Sequence, residues 1–102
     1  MGLSYSFSAE LWEWSAKKSA SWCFLSVPDD DADDIEERVG RRAAGFGSVR
    51  VEVTIGSSTW KTSLFPSNEE KTYILPVKKA VRAAENLGPG DTADVTITVL
   101  ID

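Results

Sequence analysis

Tyr73-Ile74-Leu75-Pro76-Val77-Lys78-Lys79-Ala80-Val81-Arg82-Ala83-Ala84-Glu85-Asn86-Leu87-Gly88-Pro89 changes its apolar period partway along, and that change decides the fold. The short run Thr72 to Leu75 has the composition of a strand. After it, Val77, Ala80, Val81, Ala84 and Leu87 recur at helical spacing and make one apolar stripe. Pro76 marks the expected helix start, because a missing N–H costs nothing in a first turn. Gly88-Pro89 marks its end. Beyond the stop, Ala93, Val95, Ile97, Val99 and Ile101 alternate with polar residues, the period of a strand with one face inward.

The same order appears upstream. Sliding the chain by 48 positions, without a gap, places Trp12 on Trp60, Ser15 on Ser63, Pro28 on Pro76, Ala32 on Ala80, Glu37 on Glu85, Gly40 on Gly88 and Val51 on Val99. The shift also carries Val27 to Leu75, Val39 to Leu87, Val49 to Ile97 and Val53 to Ile101. The first helix is therefore expected from Pro28 to Gly40, with the thinner stripe Ala32, Ile35 and Val39. Its opening aspartates, Asp29, Asp30, Asp31, Asp33 and Asp34, suit the partial positive charge of a helix N-terminus.

Period-two patterning supplies the remaining strands. Tyr5, Phe7, Ala9 and Leu11 alternate with Ser4, Ser6, Ser8 and Glu10, and Val49, Val51, Val53 and Ile55 do the same with polar partners. Trp60, Thr62 and Leu64 share a face, the apolar run Trp22 to Val27 completes six strands, and Gly56-Ser57-Ser58 has the composition of a tight hairpin turn. A β-β-α-β unit of this size cannot bury its apolar face alone. The expected fold is thus mostly β with two short helices: a single-chain pseudo-twofold double-split β-barrel of two β-β-α-β repeats, about residues 7–54 and 55–102 of one domain spanning 1–102. An open ferredoxin-like sheet with both helices on one face is the alternative.

Tyr73-Ile74-Leu75-Pro76, the helix after it and Leu87-Gly88-Pro89-Gly90-Asp91 resemble the half-barrel of AbrB-like transcription factors. There, two such units normally come from two chains. The phrases Phe46-Gly47-Ser48-Val49-Arg50-Val51, Trp60-Lys61-Thr62-Ser63-Leu64-Phe65-Pro66 and Leu75-Pro76-Val77-Lys78-Lys79-Ala80-Val81-Arg82 resemble a bacterial domain family of unknown function with a single-chain double-split barrel. The resemblance runs from about Tyr5 to the end. It implies the fold and no activity. Members of that family are often joined to a segment of the kind called YdeI or OmpD-associated, which this sequence lacks.

With 102 residues, 42% hydrophobic, the chain has material for one modest core. It has no histidine, the commonest general base and metal ligand, and one cysteine, Cys23, expected as a small core residue. No serine has a histidine to activate it, so catalysis is not expected and no cofactor is implied. No apolar run reaches membrane-spanning length and the N-terminus lacks signal-peptide character, so a cytoplasmic protein is expected. The net charge of −5 argues against nucleic acid and anionic membranes.

The acidic run Asp29 to Asp34 lacks the alternating ligands, central glycine and terminal glutamate of a calcium loop, so no metal site is expected. A second cluster has more chemistry. Lys78 and Arg82 stand four apart on one helix face, and with Thr62 and Ser63, and Arg50 nearby, they have the donors to hold a carboxylate or phosphate. The competing reading is an ordinary solvated helix face. Trp12, Trp14, Trp22, Trp60, Phe46, Phe65 and Tyr73 are expected mainly as core, with Trp12 and Trp60 about the pseudo-twofold axis and Trp14 or Trp22 available to line a groove. Arg41-Arg42-Ala43-Ala44-Gly45-Phe46-Gly47 follows a helix and enters a strand, so it is expected as a surface loop and not a phosphate-binding motif. The function expected is a small binding or interaction module for a small anionic ligand or a protein partner. The alternative is an AbrB-like DNA-binding regulator using Arg41, Arg42, Arg50, Lys78, Lys79 and Arg82 on one face.

Overall fold

The structure, a computed structural model, describes residues 3–17, 20–39 and 47–100; Gly40, the segment Arg41 to Phe46 and Ile101 lie outside the described residues. Among the described residues the chain forms β1 (Leu3–Glu10), β2 (Trp12–Lys17), β3 (Ala20–Ser26), α1 (Asp29–Val39), β4 (Val49–Ile55), β5 (Ser58–Ser67), β6 (Thr72–Pro76), α2 (Lys79–Glu85) and β7 (Thr92–Val99). The strands pair antiparallel in the order β1-β7-β4-β5-β6-β3-β2. The fold is mostly β with two helices, its sheet curled as a half-barrel. No helix among the described residues is long and apolar enough to cross a membrane.

Alternation builds the first part of the sheet. Val49, Val51, Val53 and Ile55 of β4 and Ala93, Val95, Ile97 and Val99 of β7 are buried. Their neighbours in sequence face water and bond across the strands: Ser4 with Thr98 at 3.0 Å, Ser6 with Thr96 at 3.0 Å, and Thr54 with Thr59 at 3.0 Å. Burying each valine or isoleucine here contributes about 1.5–3 kcal/mol, far more than any exposed hydroxyl pair.

β2 was not expected as a strand. The inward series Tyr5, Phe7, Ala9 and Leu11 breaks there, and the next large apolar side chains are Trp12 and Trp14, one step out of phase. That slip marks a change of partner: β1 pairs with β7, and β2 pairs with β3. Leu11 sits at the corner, buried, donating its N–H to the Asp91 carbonyl and accepting from the Gly90 N–H, both at 2.8 Å. β5 makes the same crossing without a break, pairing with β4 through Ser58 to Leu64 and with β6 through Phe65 to Ser67.

The second helix differs from expectation at both ends. β6 continues through Pro76, which lies opposite Phe24, and the Val77 N–H extends the ladder to the Cys23 carbonyl at 2.9 Å. Because that N–H is used in strand pairing, α2 begins only at Lys79, with Lys78 as its N-cap residue. It ends at Asn86, held left-handed at φ 55°, before Gly88 is reached. Among α2 residues only Val81 is buried, while Ala80 and Ala84 are exposed. α1 keeps its expected stripe, with Ala32, Ile35 and Val39 buried.

The two prolines stand differently before their helices. Ser26 lies opposite Ile74 and Val51 opposite Val99, pairs 48 positions apart. At the strand-to-helix junctions the matching bonds are Val27 N–H to Tyr73 and Val77 N–H to Cys23, and Ala32 N–H to Pro28 and Arg82 N–H to Lys78. Pro28 directly precedes α1, whereas Pro76 lies within β6, three residues before α2. Trp12 and Trp60 also part company: Trp12 pairs opposite Phe24 on β3, whereas Trp60 pairs opposite Val53 on β4.

Candidate functional site

Thr62 and Ser63 are neighbours on β5, and neighbouring strand residues point to opposite sides of a sheet. Thr62 lies opposite Val51, on the core-facing side, and Ser63 lies opposite the exposed Arg50. The five expected ligand residues therefore divide. Arg50 and Ser63 face one way, and Thr62 shares a recess with Lys78 on the other. Arg82 is half-buried and donates its Nε–H to the Val77 carbonyl at 3.2 Å, which fixes the backbone beside that recess.

The recess has a volume of about 160 Å³. Trp22 and Trp60 line it together with Pro76, Lys61, Thr62 and Lys78; of these, Lys61 stands next to Thr62 and opposite Glu52, so it projects from the other side of β5. Lys78 stands there because it is the N-cap of α2 and follows directly on the buried Val77. Its position is set by the strand-to-helix junction. Lys78 has no ion pair among the described residues. An ammonium group without an ion pair, a hydroxyl and two indoles suit an anion that also carries a flat apolar part.

Across the β2–β3 ladder, Trp14 lies directly opposite Trp22. Trp14 lines a different groove of about 320 Å³, with Trp12, Phe24 and Ile74 in its walls and Glu69 and Glu70 at its edge. Trp12 is held rigidly. Its Nε1–H donates to Ser26 Oγ at 2.9 Å, and its ring lies 5.1 Å from that of Phe24 at a 34° tilt.

Each helix is also pinned by one carboxylate. On α1, Asp34 accepts the Tyr5 hydroxyl at 2.5 Å and pairs with Arg38 at 3.0 Å. These donors hold the Asp34 carboxyl below its usual range, and burial, reinforced by the Asp34 carboxylate, pushes Tyr5 up to about 12. The phenol therefore keeps its proton and fastens β1 to α1 through Asp34. On α2, Glu85 accepts from Ser58 Oγ at 2.6 Å and Ser57 Oγ at 3.2 Å, which lowers its pKa. Gly56 makes room for it: a Cβ there would lie 2.0 Å from Glu85 Oε1.

The sequence places Trp60 in the core and not in a site; it shares the core-facing side of β5 with Thr62, so the strand period alone joins the two. A search of curated proteins finds no match to the chain. Residues 7–97 match the family described as a domain of unknown function, DUF1905, and the chain belongs to that family.

Proposed function

We propose that this domain is a non-catalytic binding module whose recess between Trp22 and Trp60 takes a small anionic ligand with a planar apolar part. The observation that carries this reading is the meeting of Thr62 and Lys78 beside two indoles, with Lys78 in no ion pair among the described residues. Lys78 supplies the charge-assisted hydrogen bond, Thr62 a hydroxyl and the indoles the apolar walls. Arg82 acts through the Val77 carbonyl, and Arg50 with Ser63 forms a separate polar pair on the other side of the sheet.

The scaffold proposed for this module is the single-chain double-split barrel of AbrB-like kind. Two features support it. β1 and β2 join through Leu11 yet stand at opposite ends of the strand order, and β5 likewise belongs to both halves of the sheet.

Titrating benzoate and, separately, inorganic phosphate into the isotopically labelled chain tests the binding reading. Benzoate is expected to shift the indole N–H signals of Trp22 and Trp60, and Lys78→Ala is expected to weaken it about tenfold, the value of one charge-assisted bond. Shifts that ignore Lys78→Ala, or that appear elsewhere, would dispose of the site.

A further inference from the structure

The outer face beside the recess, which shares Trp22 and Pro76 with it, carries a second kind of recognition. Directly opposed residues on paired strands share a face, so Trp14 with Trp22, then Trp12 with Phe24 and Pro76, then Ser26 with Ile74 and Phe65, form successive rows on the outside of β2, β3, β6 and the end of β5. Trp14, Trp22 and Phe65 remain 47%, 55% and 44% exposed. Large rings gathered in one exposed patch mark a contact surface, since single exposed apolar residues are ordinary and contiguous ones are not.

The charge beside this patch indicates what it meets. The groove of about 320 Å³ is walled by Trp12, Trp14, Phe24 and Ile74, with Glu69 and Glu70 at its edge. Neither glutamate has an ion pair among the described residues. An indole face carries partial negative charge, as the carboxylates carry full negative charge, so both attract a cation. Of the biological cations, guanidinium is planar and weakly hydrated; it can lie flat on an indole while its fork engages a carboxylate. A free small cation would fill the groove and leave Trp22 and Phe65 bare. A peptide segment covers all three.

We infer that this face docks an arginine of a partner protein, presented by a segment with apolar residues on either side. The guanidinium lies on the Trp12 and Trp14 side of the groove against Glu69 and Glu70, and the flanking residues cover Trp22 and Phe65. The locked Trp12 ring lowers the ordering that binding demands.

The test uses the full chain, its indole N–H signals and three probes: acetyl-Phe-Arg-Phe-amide, the same peptide with citrulline for arginine, and tetramethylammonium. The arginine peptide is expected to shift Trp12 and Trp14 saturably. Citrulline, equal in shape and uncharged, is expected to bind at least about tenfold more weakly, as is the arginine peptide with the double variant Glu69→Gln, Glu70→Gln. Both glutamates are exposed in a turn, so the variant keeps the fold, which unchanged amide dispersion verifies. Equal binding of citrulline, indifference to the double variant, or no shift overturns the inference. So does tetramethylammonium binding as tightly as the peptide, or self-association that shifts the same indoles without any probe.

Discussion

The two ends of this one sheet are finished in opposite ways. On β1, β7 and β4 the outward residues are Ser4, Ser6, Thr96, Thr98 and Thr54, joined across strands by hydroxyl bonds. On β2, β3 and β6 the outward residues include Trp12, Trp14, Trp22, Phe24, Ile74 and Pro76, with Ser26 and Thr72 as polar members. The inner faces are alike: Val51 and Ile97 at one end and Leu25 and Leu75 at the other are all fully buried. The contrast between the two halves therefore lies in the outer faces, and the proposed docking rests on it.

The largest effect that tests this division comes from comparing the two faces of one strand pair. Leu75→Ala, which empties a fully buried site opposite Leu25, is expected to cost about 2–5 kcal/mol in urea unfolding. Phe65→Ser and Trp22→Ser, on the outside, are expected to cost less than about 1 kcal/mol while weakening peptide docking. A loss of stability at Trp22 matching that at Leu75 would make the aromatic face structural and erase the contrast.

How legible each part was in the sequence follows from the same division. β1, β4 and β7 alternate apolar with polar residues and were found at nearly their full extent, because water on one side enforces the period. β3 and β6 are apolar on both sides, so Trp22 to Val27 and Thr72 to Leu75 showed only as short runs without a face. The Trp14–Trp22 row follows from a cross-strand register that no local pattern encodes. The helix starts were misplaced on the second side because Pro76 resembles a first-turn proline, whereas its neighbour Val77 spends its N–H on β3. For the site, pairing Thr62 with Lys78 needed the β6–α2 junction, but separating Ser63 from Thr62 needed only the strand period.

A middle-sized effect probes the turn between β4 and β5. Gly56 and Gly90 both have positive φ, 57° and 93°, but a Cβ at Gly90 meets nothing within 4 Å, whereas at Gly56 it meets Glu85. Gly90→Ala is expected to cost about 1 kcal/mol for the backbone alone. Gly56→Ala is expected to cost about 1 kcal/mol more, because Glu85 must leave Ser57 and Ser58. Thermal unfolding measures both, and Glu85→Ala should remove most of the difference. Below these in size, Ser6→Ala deletes one hydroxyl pair with Thr96 and is expected to cost no more than about 0.5 kcal/mol, the scale of one exposed cross-strand contact.

The smallest effects lie in the pH dependence, and they ask whether the polar end is fastened to its helix by charge. Asp34 has a depressed pKa in the folded state because Tyr5 and Arg38 donate to it, so its stabilisation is present above its ordinary value of 3.8 and is lost as pH falls through the folded one. Glu85 behaves likewise below 4.5, held down by Ser58 and Ser57. Tyr5 has the opposite sign. Its pKa is raised from 10.0 to about 12, so its contribution is complete below pH 10.0 and disappears as pH rises through about 12. A spectrophotometric titration of the two tyrosines isolates the cause, since Tyr73 is raised first by burial and then by Glu36, and makes no bond to Asp34. In Asp34→Asn the Tyr5 transition is expected to move down toward 10.0 while that of Tyr73 stays in place. If Tyr5 does not move, burial alone holds its proton, and the link from β1 to α1 is a matter of packing like the Leu25–Leu75 contact at the other end.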